Sequence, residues 1–199
     1  MSSTTREQII TTADRLFYEN GYEHTSFADI AAAVNISRGN FYYHFRTKDE
    51  ILTAVIDARL ANTRGMLEDW ERETADPAER IRRFMHMMIA NRTAIKRYGC
   101  PVGTLAAEMA KLDHAARGDA NRLFTLFRTW LAAQFKTLGC GTQSDALAMH
   151  LLARSQGVAT LASALRDERF IRHEVALMED WLAAVAGGKA RKRGKRQTH

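Results

Sequence analysis

Between residues 38 and 44 the chain places an arginine, a glycine, an amide, two tyrosines and a histidine: Arg38, Gly39, Asn40, Tyr42, Tyr43 and His44. On a helix turning about 100° per residue, Phe41 and Phe45 point inward together. Gly39, Asn40 and Tyr43 then point outward, with Arg38, Tyr42 and His44 on the flanks. Base edges are read by hydrogen bonds and apolar contacts, while phosphates are held by Arg, Lys, Tyr and capped helix starts, so this face has the chemistry of a major-groove reader. Gly39 admits a close backbone approach. Lys48, just inside the next helix start, suits a phosphate. A helical hairpin whose aromatics only pack has no need of an amide and an arginine around an outward glycine.

Three helix starts in quick succession position these groups. Ser26 with Asp29, and Thr47 with Glu50, fit the capping-box pattern, and Ser37 is a further N-cap. Only about ten residues separate Ser26 from Ser37, so a short helix must stop near Val34, turn through Asn35 and Ile36, and restart, which is a helix-turn-helix. A preceding helix over about 5–20 carries Ile9, Ile10, Ala13, Leu16 and Phe17 on one stripe and ends at Gly21. Phe27, Ile30, Ala31 and Val34 give the second helix a matching face, so three short helices can share one core.

With these residues in view, positions 6–60 resemble the DNA-binding domain of the TetR/AcrR family of bacterial transcriptional repressors. The matching features are Ala-x-x-Leu-Phe...Gly-Tyr from Ala13 to Tyr22, Thr-Ser-Phe-x-Asp-Ile-Ala from Thr25, and Tyr-x-His-Phe-x-x-Lys-x-x-Ile-Leu from Tyr42. The resemblance implies that Arg38, Gly39, Asn40 and Tyr43 face bases, and that Thr25, Ser37, Tyr42, His44 and Lys48 hold phosphates. Asn40 departs from the small hydroxyl or alanine often found there, which leaves the operator sequence open. A Gly-Cys-x-x-Gly...Glu segment, Gly99 to Glu108, is similar to one in the ligand-binding half of a subgroup.

Composition sets the remaining bounds. With 199 residues, 46% of them hydrophobic, and only two prolines, the chain reads as all-α, with about nine helices. The net charge of +6 lies in the tail. Without the six Lys or Arg of residues 187–199, the 29 basic residues fall to 23 against 23 acidic ones, so bulk charge is no argument for DNA. No apolar run is long enough for a bilayer, and the start, MSSTTREQ, lacks signal-peptide character, which points to the cytoplasm. Cys100 and Cys140 are too few for a disulfide framework.

The rest of the chain supplies control. A long helix over about 47–73 joins the first core to the remainder, and Asp76, Pro77 and Glu79 give cap, first-turn proline and capping partner for the next. Its stripe includes Ile81, Phe84, Met85, Met88, Ile89 and Ile95. After a break at Gly99, Pro101 and Gly103 the helix pattern restarts at Thr104. An apolar helix follows over about 119–138 with Phe127 and Trp130. A capping box from Thr142 to Asp145 opens a helix to Leu165, and the last runs over about 168–186.

The expected organisation is a helix-turn-helix DNA-binding domain over 1–50, a ligand-binding and dimerisation domain over 51–186, and a basic, disordered tail over 187–199. Met85, Met88, Cys100, Phe127 and Trp130 are the candidate lining of a site for a small, mainly apolar effector. The resemblance also implies a homodimer through the eighth and ninth helices, which suits a pseudo-palindromic double-stranded operator. The resulting expectation is a ligand-responsive repressor rather than an enzyme. A thiol sensor of oxidants or electrophiles acting through Cys100 shares the fold and differs in trigger. An all-α enzyme lacks its motifs: no HExxH or paired Glu-x-x-His appears, the seven histidines are scattered, and no metal or cofactor is implied.

Overall fold

The computed structural model describes residues 4–194. Among these, ten α-helices and no strand are present: α1 Thr5–Asn20, α2 Phe27–Val34, α3 Arg38–His44, α4 Lys48–Glu73, α5 Pro77–Ala90, α6 Arg92–Tyr98, α7 Pro101–Lys111, α8 Arg117–Thr137, α9 Ser144–Leu165 and α10 Glu168–Gly194. The fold is all-α. The chain divides into two compact units, Met1–Arg64 with Pro101–Phe124, and Gly65–Cys100 with Thr125–His199. The division falls inside α4 and α8, not at residue 50, and α7 joins the N-terminal unit although it lies far along the sequence.

In the first unit, short-range side-chain caps set the helix starts. Thr4 and Glu7 form a capping box on α1, and Ser26 and Asp29 form one on α2. α1 ends at Gly21 with φ 88°, a conformation that favours glycine, and α2 ends at Asn35 in the left-handed region. Thr47 accepts the Glu50 amide at 3.1 Å, but the Glu50 carboxylate accepts the Arg46 amide at 2.8 Å. Ile9, Ala13, Ile30, Phe41, Ile51, Leu52 and Val55 are fully buried and form the core of this unit.

In the second unit α10 packs on α5 and α9, and α6 packs on α9. Ile81, Met85, Leu131, Phe135, Leu151, Ala162, Ile171 and Met178 are fully buried there. Several starts and stops differ from the sequence pattern. Asn91 interrupts the expected fifth helix, its side-chain amide donating to the Met87 carbonyl at 2.8 Å, so Ile95 belongs to a separate helix. The restart placed at Thr104 comes at Pro101, whose fixed φ suits a first turn. Asp76 caps α5, but Glu79 pairs with Arg82. The Thr142 to Asp145 box does not form: a 3-10 turn, Gly141–Gln143, precedes α9, and Asp145 pairs with Arg128 through two hydrogen bonds of 2.8 and 2.6 Å. α10 continues as helix to Gly194, past the expected start of a disordered tail at 187, and residues 195–199 lie outside the described residues.

Candidate nucleic-acid interface

α3 is held in a fixed rotation by what it buries. Phe41 is fully buried and meets the Phe27 ring edge-on, with centroids 4.6 Å apart and planes at 78°, and Phe45 is buried at the helix end. The opposite face is open: Tyr43 is 84% exposed and Tyr42 55% exposed. Asn40 and Gly39 are exposed beside them. Nothing lies within 4 Å of where a Gly39 side chain would begin, so packing within the chain does not require a glycine there. Ser37 accepts the Asn40 amide at 3.3 Å and caps the start. Tyr42 leans on Phe27 at 5.1 Å, and half-buried His44 stands edge-on to Tyr43 at 5.2 Å. The Arg38 side chain lies outside the described residues. Gly39, Asn40 and Tyr43 are thus all exposed, and Tyr42, which the helical wheel puts on the flank, is exposed while leaning on Phe27.

Two of the phosphate candidates are differently placed. Thr25 is buried, with 1% exposure, and its hydroxyl donates to the Gly21 carbonyl at 2.7 Å. It fixes the turn before α2 and has no free face for a phosphate. Lys48 is half-buried; its ammonium donates to the Tyr22 carbonyl at 3.0 Å and lies 4.1 Å from the centre of the Tyr22 ring. One cation is added by the structure: Arg6, over the Phe45 ring at 5.0 Å, lines an open cleft with His44, Glu50 and Asp57.

Tyr22 is the residue the sequence pattern does not single out. Its hydroxyl donates to Asp49, and its ring meets Phe17 and His114 edge-on at 5.3 and 5.2 Å. Burial, then the hydrogen bond to Asp49, push its phenol well above the ordinary value, so it stays a protonated donor at any working pH. The Gly-Tyr pair in the α1 motif was the available signal; its partners lie too far along the chain to be inferred.

The candidate effector residues lie in the second unit. Met85 and Met88 are buried on α5. Phe127 meets Phe84 at 5.4 Å, and Trp130 meets Trp70 at 5.8 Å. The Trp130 indole donates to Glu71 at 2.8 Å, Gln134 donates to the same oxygen at 3.2 Å, and Arg80 donates to the Gln134 carbonyl at 3.1 Å. The sequence pattern gives no sign of this polar chain, because its partners lie 54 to 63 residues apart. Cys100 is half-buried between Gly99 and Pro101, and both cysteines are thiols. Among the described residues, no group of three or more His, Cys, Asp or Glu side chains is arranged to hold a metal ion.

Comparison with known proteins decides the family. Residues 9–55 match the model for bacterial regulatory proteins of the tetR family, and residues 77–175 match that for the C-terminal domain of LmrA/YxaF-like transcriptional regulators. The chain belongs to the TetR family. TetR-family membership makes it a DNA-binding transcriptional regulator rather than an enzyme. It is 28% identical over 179 residues to an HTH-type transcriptional regulator in the lacX 3' region of Lactococcus lactis, covering 88% of this chain and 91% of that one. It is 24% identical over 161 residues to the HTH-type transcriptional repressor DhaR of a Mycobacterium species, covering 76% and 79%. A TetR transcriptional regulator from Legionella pneumophila superposes with a TM-score of 0.81 at 26% identity, over 90% of this chain and 97% of that structure. No helix among the described residues is long and apolar enough to cross a membrane.

Proposed function

We propose that this chain is a cytoplasmic homodimeric repressor, released from a pseudo-palindromic operator by a small, mainly apolar effector bound in the second unit. The observation that carries the reading is the exposed face of α3. Tyr43, at 84% exposure, stands beside Asn40 and an unpacked Gly39 at a capped helix start, which is what a major-groove reader needs. Dimerisation through α9 and α10 is favoured by Met149, Leu161, Leu165 and Leu177, large apolar side chains left 39–66% exposed on those two helices. An effector site is favoured by Met85, Met88, Phe127 and Trp130, buried apolar side chains of the second unit, and by the Glu71 and Gln134 hydrogen bonds beside Trp130, which can orient a ligand. An effector preferring a conformation unfit for DNA would shift the population off the operator.

The test is isothermal titration of the full chain with duplex DNA from its own upstream region, against a scrambled duplex of equal length. Binding to the upstream duplex at least about a thousandfold tighter is expected. Equal, salt-sensitive binding to both would sink the reading.

A further inference from the structure

We propose that Glu108 on α7 is a positioning residue for DNA reading: its carboxylate clamps the turn between α1 and α2, so that the placement of α7 sets the placement of the recognition helix α3. The inference rests on the DNA-reading role of α3 given above. Both oxygens are used. Oε2 accepts the Tyr22 amide at 2.9 Å and Oε1 accepts the Glu23 amide at 2.8 Å. Two successive amides aimed at one anion form a nest, and here the anion comes from 85 and 86 residues away in sequence. Gly21 completes the cradle, since a side chain there would begin 3.1 Å from Oε1.

From this clamp, a continuous line of contacts reaches α3. Tyr22 and Glu23 are followed by Thr25, whose hydroxyl returns to the Gly21 carbonyl, and by Ser26, which caps α2. Phe27, the first residue of α2, packs against both Phe41 and Tyr42 of α3. The other side of Tyr22 is tied to α4 by Lys48 and Asp49. A shift of α7 therefore loads the turn that starts α2, and α2 holds α3 by its rings.

α7 is itself a pinned strut within this unit. At its start, Arg59 donates to the Pro101 carbonyl at 2.7 Å and to Asp14 at 2.6 Å. Beyond its end, the His114 Nδ1 accepts the Ala116 amide, which leaves the hydrogen on Nε2, 3.6 Å from Asp49. Leu105, Ala106 and Met109 bury the apolar face. Residue 101, where α7 begins, directly follows Cys100, the last residue of the second unit's first segment.

The test uses the full chain and Glu108→Gln, which keeps size but turns an NH2 group toward one of the two amide donors. Hydrogen exchange should speed up at least tenfold at the Tyr22 and Glu23 amides, while α9 and α10 amides keep their rates and so report an intact fold. Affinity for a duplex that the wild-type protein selects from a randomised pool should fall at least tenfold, with affinity for unselected duplex unchanged. Unaltered exchange at Tyr22 and Glu23 overturns the clamp, whatever the DNA result. Faster exchange with both affinities unchanged overturns the positioning role and leaves a structural tie. If the wild-type protein selects no duplex, the DNA-reading role falls and takes the positioning role with it, while the exchange arm still decides whether the clamp exists.

Discussion

The Lys48 ammonium donates to the Tyr22 carbonyl at 3.0 Å and sits 4.1 Å over the ring of the same residue. An ammonium has three donors, so this leaves capacity for a phosphate while holding the side chain in one place before DNA arrives. Lys48→Met is expected to cost about 1 kcal/mol of stability, from one hydrogen bond and one cation–π contact. It should also lower the slope of log affinity against log salt by about 0.9 for each phosphate that is no longer neutralised. Denaturant unfolding and a salt series on the same duplex separate the two effects. An unchanged slope would assign Lys48 to structure alone.

Thr25 gives the opposite pattern. Its hydroxyl is buried and donates to the Gly21 carbonyl, so Thr25→Val strands that acceptor and loosens the turn before α2. A stability loss of about 1–2 kcal/mol is expected. The salt slope should stay where it was, because the same phosphates are neutralised. A reduced slope in Thr25→Val would mean that the turn opens on DNA and presents the hydroxyl.

Tyr43 and Tyr42 are neighbours with different duties. Tyr43 is 84% exposed, so Tyr43→Ala should change stability by less than about 0.5 kcal/mol. If it reads a base or holds a phosphate, operator affinity falls by about 1–3 kcal/mol. Tyr42 leans on Phe27, and Tyr42→Ala should weaken both stability and binding. Operator binding by Tyr43→Ala that matches wild type would remove Tyr43 from the interface.

How far the site was legible follows from the range of each interaction. The rotation of α3 could be read because Phe41 and Phe45 are one turn apart and both buried, a pattern contained within the helix. The Ser26 and Asp29 box was legible for the same reason, since both partners lie within four residues. The same motif misled at Thr142, where Asp145 finds a guanidinium on α8 that no local rule anticipates. The resemblance assigns Thr25 and Lys48 to phosphates, whereas their bonds to the Gly21 and Tyr22 carbonyls depend on how the α1–α2 turn folds. Glu108 lay within a motif, yet its partners are amides near the other end of the chain. α10 runs through the glycine pair at 187 and 188, where local propensity suggests a stop.

The capping carboxylate Asp29 gives a pH prediction. The Ser26 side chain, then the Ser26 backbone amide, hold its pKa below the ordinary 3.8. A carboxylate depressed on folding contributes stability that is complete above its unfolded value and is lost as pH falls through its folded value. Ser26→Ala removes the larger of the two causes. The stability gap between wild type and Ser26→Ala should therefore be constant above the ordinary carboxylate range and narrow as pH falls below 3.8. Urea unfolding at a series of pH values measures it, and a gap that widens in acid would contradict the assignment.

Along α9, leucines that the chain leaves uncovered alternate with residues it buries. Leu161 and Leu165 are 49% and 66% exposed, whereas Ala162 between them is fully buried. Replacing both leucines by arginine removes little that the protomer itself uses, so helical content should be kept. In a dimer through this face the same change buries four unpaired charges across the two-fold axis, and sedimentation should show monomer. Operator affinity should then fall at least a hundredfold, since two half-sites are no longer bound together. Ala162→Leu serves as the contrast, because overpacking a buried position costs about 1–3 kcal/mol of protomer stability wherever the interface lies. A double arginine variant that still sediments as a dimer would place the interface on another face and leave these leucines needing a different partner.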